Sequence, residues 1–188
     1  KALARLEAHA ESRVFGSRKD RCADMRSAPY LLNAVYKELG EKEKAQAAFE
    51  RIIALLQKDV DDLEVGADRN LDDNLRFFLE LAGRDADLDR LYPKLIAAYP
   101  ADYVYSYRYA KNLHGRKEDA KALERIEKGF ALSYGGNRIN SAVLKARILG
   151  RLGRKEEALK LLESEKKAAK GRFPRELEGL EQALKELK

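Results

Sequence analysis

Three aspartates alternate in Asp85-x-Asp87-x-Asp89, a spacing with which carboxylates can converge on one hard cation. A calcium loop would continue with glycine where Arg90 stands and with glutamate where Ile96 stands, so the three carboxylates read instead as the first turn of a helix, which favours negative charge. A second acidic run, Asp59, Asp61, Asp62, Glu64 and Asp68, has no ligand spacing and reads as a solvated loop or an extended helix end. Histidine offers His9 and His114, neither in an HxxxH or HExxH arrangement that would bring two imidazoles to one helix face; His114, beside Gly115, reads as a helix end. Cys22 follows Arg21, which would activate the thiol if it lowered its pKa; a lone cysteine in a helical segment otherwise reads as buried and inert. Tyr134-Gly135-Gly136-Asn137 lacks both the lysine and the preceding strand of a phosphate loop. No catalytic constellation, metal site or cofactor site emerges, and the expected role is non-enzymatic binding.

Tyrosine carries a different signal. Five of the nine tyrosines fall between Tyr99 and Tyr109. On a helix, Tyr103 and Tyr107 share one face while Tyr105 and Tyr109 share nearly the opposite one, so one pair belongs to the core and the other is exposed or lines a groove.

The elements that must position these residues are helical. The 188 residues are 45% hydrophobic and 37% charged, rich in Ala, Leu, Lys, Glu and Arg, with 4 Pro and no Trp. A chain of this length can bury roughly 70% of its unfolded surface without disulfides, which the single cysteine excludes within the chain. No apolar stretch approaches the ~20 residues that span a bilayer, so membrane insertion is not expected. The net charge of +6 is unevenly spread, with eleven acidic against five basic residues from Gln57 to Arg90 and thirteen basic against eight acidic from Lys145 to Lys188. Charges of alternating sign in the basic third read as solvated helix faces, not as a nucleic-acid surface. The chain begins at Lys1 without methionine or a signal-peptide core, which reads as a trimmed or processed product.

One local pattern recurs four times. A glycine closes an apolar helical run, charged residues follow, and an Ala or Leu stands five residues past the glycine: Gly40 with Ala45, Gly83 with Leu88, Gly115 with Ala120, Gly153 with Ala158. Glycine ends a helix in the left-handed conformation, the charges begin the next, and a small residue lets two antiparallel helices approach closely. Leu88 is too large for that approach, so the second hairpin is expected to splay.

Around these hinges the sequence resembles the tetratricopeptide repeat (TPR) family. Leu32, Tyr36, Ala45, Phe49 and Ile52 carry the resemblance in the first unit, Leu75, Leu79, Tyr92, Leu95 and Pro100 in the second, Leu123, Ile126 and Phe130 in the third, and Leu149, Ala158 and Leu162 in the fourth. The hinge glycines lie 43, 32 and 38 residues apart, against about 34 for ideal tandem units, so the repeats are degenerate. The resemblance implies an all-α fold, a right-handed α-α superhelix of four hairpins with helical caps. The expected parts are an N-terminal cap over 1–26, hairpins over 27–58, 70–100, 101–134 and 138–170, an acidic connector over 59–69, and a cap over 174–188.

Such a solenoid lines its concave surface with the first helix of each hairpin, at positions about ten, six and three residues before the hinge glycine. These are Asp73, Phe77 and Glu80 in the second unit, Tyr105, Tyr109 and Asn112 in the third, and Val143, Arg147 and Gly150 in the fourth, with Asn140 one turn earlier. Phe77, Tyr105, Tyr109, Asn112, Asn140 and Arg147 are therefore the expected peptide-binding residues; filling of gaps between repeats is the other reading of the tyrosines. Aromatic faces beside amide and guanidinium groups suit a protein or peptide ligand. Members of the family that bind chaperone tails use Lys and Asn at these positions, where this chain has mostly Tyr, Phe and Asp. More diffusely, residues 90–165, including Tyr107 to Leu113 and Ser133 to Arg138, are similar to helical-repeat tails that follow thioredoxin-like domains in exported bacterial proteins. That resemblance implies a periplasmic or exported accessory domain whose thiol chemistry lies outside this chain; otherwise a cytoplasmic scaffold is implied. Self-association through the repeat stack is a third reading.

Overall fold

A computed structural model describes residues 1–23 and 26–187, in which every regular element is helical. Eleven α-helices follow one another among the described residues in a repeat-like order, and within each unit most of them pack on the next. The chain divides into two compact units, Lys1–Ala98 and Tyr99–Lys188.

The first unit begins with α1 (Ala2–His9), which runs into a π-helical turn, Ala10–Phe15, and a short α2 (Arg18–Arg21) capped by Ser17. Two hairpins follow: α3 (Ser27–Glu38) with α4 (Lys42–Leu63), and α5 (Arg69–Leu81) with α6 (Asp85–Ala98). Leu32, Ala45, Ile52, Leu56, Leu75, Phe78, Leu79, Leu88, Tyr92 and Leu95 are buried, and Phe49 meets Phe78 edge to face at 5.6 Å. Leu88 is fully buried.

The acidic run at 59–68 is divided: residues 64–68 form a largely exposed loop, and residues 59–63 are the extended end of a helix. Helix α4 continues through Leu63, which carries Asp59 inward to 3% exposure. There it accepts hydrogen bonds from Arg21 Nε at 2.5 Å and Arg18 Nε at 3.0 Å, while Arg21 also donates to the Val14 carbonyl at 2.8 Å. Burial pushes the Asp59 carboxyl upward, but the two guanidinium groups outweigh it and hold it below its ordinary value. Asp68 caps α5 by accepting from Leu71 N. The neighbouring Cys22 is half-buried, and burial together with Asp68 and Asp59 raises its pKa, so Arg21, engaged with Asp59, does not activate it. The Asp85-x-Asp87 carboxylates open α6, and Asp87 is held by Arg84 and Arg90.

The second unit holds two further hairpins, α7 (Tyr103–Gly115) with α8 (Asp119–Leu132) and α9 (Gly135–Arg151) with α10 (Lys155–Ala169), and a last helix, α11 (Pro174–Leu187). Ile139, Ala142, Ala146, Leu149, Ala158 and Leu162 form a core with Leu180, Ala183 and Leu184, so the apolar stripe of α11 covers the last hairpin.

All four hairpins turn through the same backbone device. The residue that closes the first helix has positive φ, and the next amide reaches back five residues to a helix carbonyl: Glu41 to Tyr36 at 2.8 Å, Arg84 to Leu79 at 2.9 Å, Glu118 to Leu113 at 2.9 Å and Arg154 to Leu149 at 2.9 Å. In three hairpins that residue is Gly40, Gly83 or Gly153; in the third it is Lys117, at φ 65°, not Gly115. Gly115 is the last residue of α7, with open space where a Cβ would stand. The small residue five beyond the hinge is accordingly Ala122, fully buried, and not the exposed Ala120.

This two-residue shift yields opposite expectations from sequence and structure. A left-handed hinge at Gly115 would make Gly115→Ala destabilising; the helical Gly115 seen here makes it stabilising by about 0.5–1 kcal/mol. Lys117→Gly should stabilise by a similar ~0.5–1 kcal/mol, because lysine bears the Cβ penalty of positive φ. Chemical denaturation of both variants checks the sign of each.

Candidate functional site

The hinge position decides which tyrosines are available. Counted from Lys117, the positions ten, six and three residues earlier are Tyr107, Lys111 and His114, whereas Tyr105 and Tyr109 stand twelve and eight residues before it. Tyr105 is 0% exposed and stacks on Tyr99 at 5.2 Å; Tyr109 is buried with the Arg125 guanidinium 5.8 Å from its ring centre. The expectation that this pair lines an open surface is corrected: these rings are core, and Tyr103 and Tyr107 form the pair on the other face.

Gly129 explains how α7 is held at this rotation. A Cβ there would lie 3.1 Å from the Tyr107 amide nitrogen, 3.3 Å from the Ser106 Cβ and 3.4 Å from the Tyr103 carbonyl oxygen, so α8 meets the α7 backbone along Tyr103, Ser106 and Tyr107. The third hairpin is tightly packed for this reason.

Between α7 and α9 lies a recess of about 190 Å³ lined by Tyr103, Val104, Tyr107, Arg108, Asn137 and Asn140. Tyr103 meets the exposed ring of Tyr134 edge to face at 6.0 Å. Burial raises the pKa of both recess phenols, so they remain neutral hydrogen-bond donors near neutral pH; the positive charge of Arg147 opposes that rise at Tyr107. Arg147 stands two turns beyond Asn140 on the same α9 face, exposed, with Glu186 at 3.3 Å. Asn140 and Arg147 thus belong with Tyr103 and Tyr107.

The other expected residues lie elsewhere. Asn112 is half-buried on α7 outside the recess lining. Phe77, in the first unit, is half-buried on α5, touches Phe78 edge to face at 5.2 Å and is covered by the Arg26 guanidinium at 5.3 Å. Beside it, Asp73 and Glu80 are bound by the buried Arg76 at 3.0 and 2.7 Å. His114 does end its helix, and its Nδ1 lies 2.5 Å from Asp119 Oδ1; Arg151 holds the other Asp119 oxygen at 2.9 Å and donates to the His114 carbonyl at 2.9 Å. These bonds fasten the end of α7, the start of α8 and the end of α9 together.

A larger groove of about 360 Å³ runs along α4 and α6 in the first unit. Four of its rim charges are paired among themselves, Arg84 with Glu50 at 3.0 Å and Asp87 at 2.7 Å, and Arg90 with Asp87.

Among the described residues no helix is long and apolar enough to cross a membrane, and no group of His, Cys, Asp or Glu is placed to hold a metal ion. Comparison with protein-family models and with curated proteins returns no match, so the functional reading rests on the geometry of the chain itself.

Proposed function

We propose that this chain is a non-catalytic binding module, a TPR-like stack of helical hairpins that holds an extended segment of a partner protein on the face shared by α7 and α9. The observation that carries this reading is the α7/α9 recess, where two phenols stand opposite two carboxamides one helical turn apart. Rigid tyrosine rings supply contact area at low entropy cost, and each asparagine offers both a donor and an acceptor, which is what an extended backbone requires.

The test is selection of binding peptides from a random display library on the intact chain. Tyr107→Ala should weaken the selected peptides at least about tenfold, the effect of removing an aromatic anchor, while leaving the melting temperature within ~3 °C of the parent. Tyr105→Phe, which keeps the core ring, should leave binding unchanged. Peptides indifferent to both Tyr107→Ala and Asn140→Ala would remove the recess from consideration.

A further inference from the structure

We propose that the segment held between α7 and α9 is acidic, its side-chain carboxylates met by Arg147 while Tyr103, Tyr107 and the two asparagines hold its backbone. This rests on the binding reading above and adds the chemistry of the partner.

Three observations carry it. First, none of the six residues lining the recess is a carboxylate, and one is an arginine. Second, charge is segregated between the units: residues 99–188 contain 21 Lys or Arg and 13 Asp or Glu, a net +8, whereas residues 1–98 contain 17 and 19, a net −2. Third, several basic groups of the second unit are held more closely than Arg147 is. Arg138 grips Glu165 with two bonds of 3.0 and 2.9 Å, Arg151 holds Asp119 at 2.9 Å, and Lys166 holds Glu181 at 2.9 Å. Arg147 meets Glu186 at 3.3 Å with both side chains more than two-fifths exposed. Exposed pairs of this kind contribute little, so an incoming carboxylate can replace Glu186 at small cost. The nearby acidic group at α7's own N-terminus, Asp102, accepts from the Val104 amide at 2.9 Å, and its charge acts on Tyr103.

A polyanionic nucleic acid fits this face less well. Sequence-independent phosphate binding draws on roughly 6–10 cationic contacts, and the recess with its α9 extension presents two arginines amid amides and phenols. Asparagines spaced one turn apart match peptide groups better than a run of phosphates.

The experiment uses the full chain and four fluorescein-labelled probes: end-capped peptides of three repeats of Glu-Leu-Ser, Gln-Leu-Ser or Lys-Leu-Ser, and a short oligothymidylate. Anisotropy titrations at low and at physiological salt should show the glutamate peptide binding about tenfold tighter than the glutamine one and the lysine peptide weakest. Arg147→Gln should erase most of that preference. Glu186→Gln, which frees Arg147, should tighten the glutamate peptide about threefold, a gain that no loss of structure produces. Lys160→Gln, an exposed charge on α10, should change nothing, and thermal melts confirm that each variant is folded.

Equal binding of the glutamate and glutamine peptides would overturn the acidic preference yet leave the binding face standing if Tyr107→Ala still weakens both. A loss in Lys160→Gln equal to that in Arg147→Gln would overturn it as diffuse charge attraction. Tighter binding of the oligothymidylate with the same Arg147 dependence would overturn it in favour of nucleic acid. If none of the peptides binds, the acidic segment is rejected, and the binding reading is then judged by the display selection alone.

Discussion

Tyr105→Ala should lower stability by about 3–5 kcal/mol, the usual cost of truncating a large aromatic side chain in a packed core. For a chain of this size each kcal/mol moves the melting temperature by roughly 2–4 °C, so the expected fall is on the order of 10 °C. The ring has no exposed surface and stacks on Tyr99, and Gly129 already brings α8 against the backbone of the same helix. Tyr107→Ala, two residues on and on nearly the opposite face of the helix, should cost far less. Paired thermal melts of the two variants measure the difference directly. A larger loss at Tyr107 than at Tyr105 would mean that α7 is rotated from the orientation described and that Tyr105 and Tyr109 line the groove.

Asp59→Ala should be comparably damaging, at about 3–5 kcal/mol, because it leaves the buried Arg21 guanidinium without its counter-charge. Removing one partner of a buried ion pair is far costlier than never having the pair, since the remaining charge was taken out of water for an attraction that no longer exists. Arg21→Met alone should hurt less than Asp59→Ala, for Arg18 still neutralises Asp59 at 3.0 Å. The acid dependence follows with a definite sign. Asp59 titrates below its ordinary value in the folded chain, so its contribution is fully present above the carboxylate range of the unfolded chain and is lost as pH falls through the folded value. The stability gap between parent and Asp59→Ala should therefore be widest near neutrality and narrow in acid. Urea titrations at about pH 7 and about pH 3 compare the two; an equal gap at both would show that Asp59 acts by packing and not by charge.

Both residues were misplaced by local reading, and for the same physical reason. Asp59 belongs to a run of acids whose composition resembles a loop, and its partners inside, Arg21 and Arg18, stand 38 and 41 residues earlier. The tyrosine faces were legible from helical periodicity, which separates Tyr103 and Tyr107 from Tyr105 and Tyr109. Which face turns inward depended on a hinge. Gly115 was the natural residue for it, and a signal for the alternative did exist: Ala122, five residues past Lys117, repeats the spacing of Ala45 after Gly40 and Ala158 after Gly153, and it returns the second interval to 34 residues.

The sequence by itself determined that this chain is a series of helical hairpins. The turn residues, the charges after them and the apolar stripes act within a few residues of one another, where backbone conformation and helix dipoles are decided. It also foretold the amphipathic last helix that starts at Pro174. Only the tertiary structure decided the rotation of α7, the burial of Asp59 and the meeting of Tyr103 and Tyr107 with Asn137 and Asn140. Each of these rests on contact between segments distant in the chain, and a lysine can be held at positive φ only when the packing of two helices outweighs its preference for another conformation.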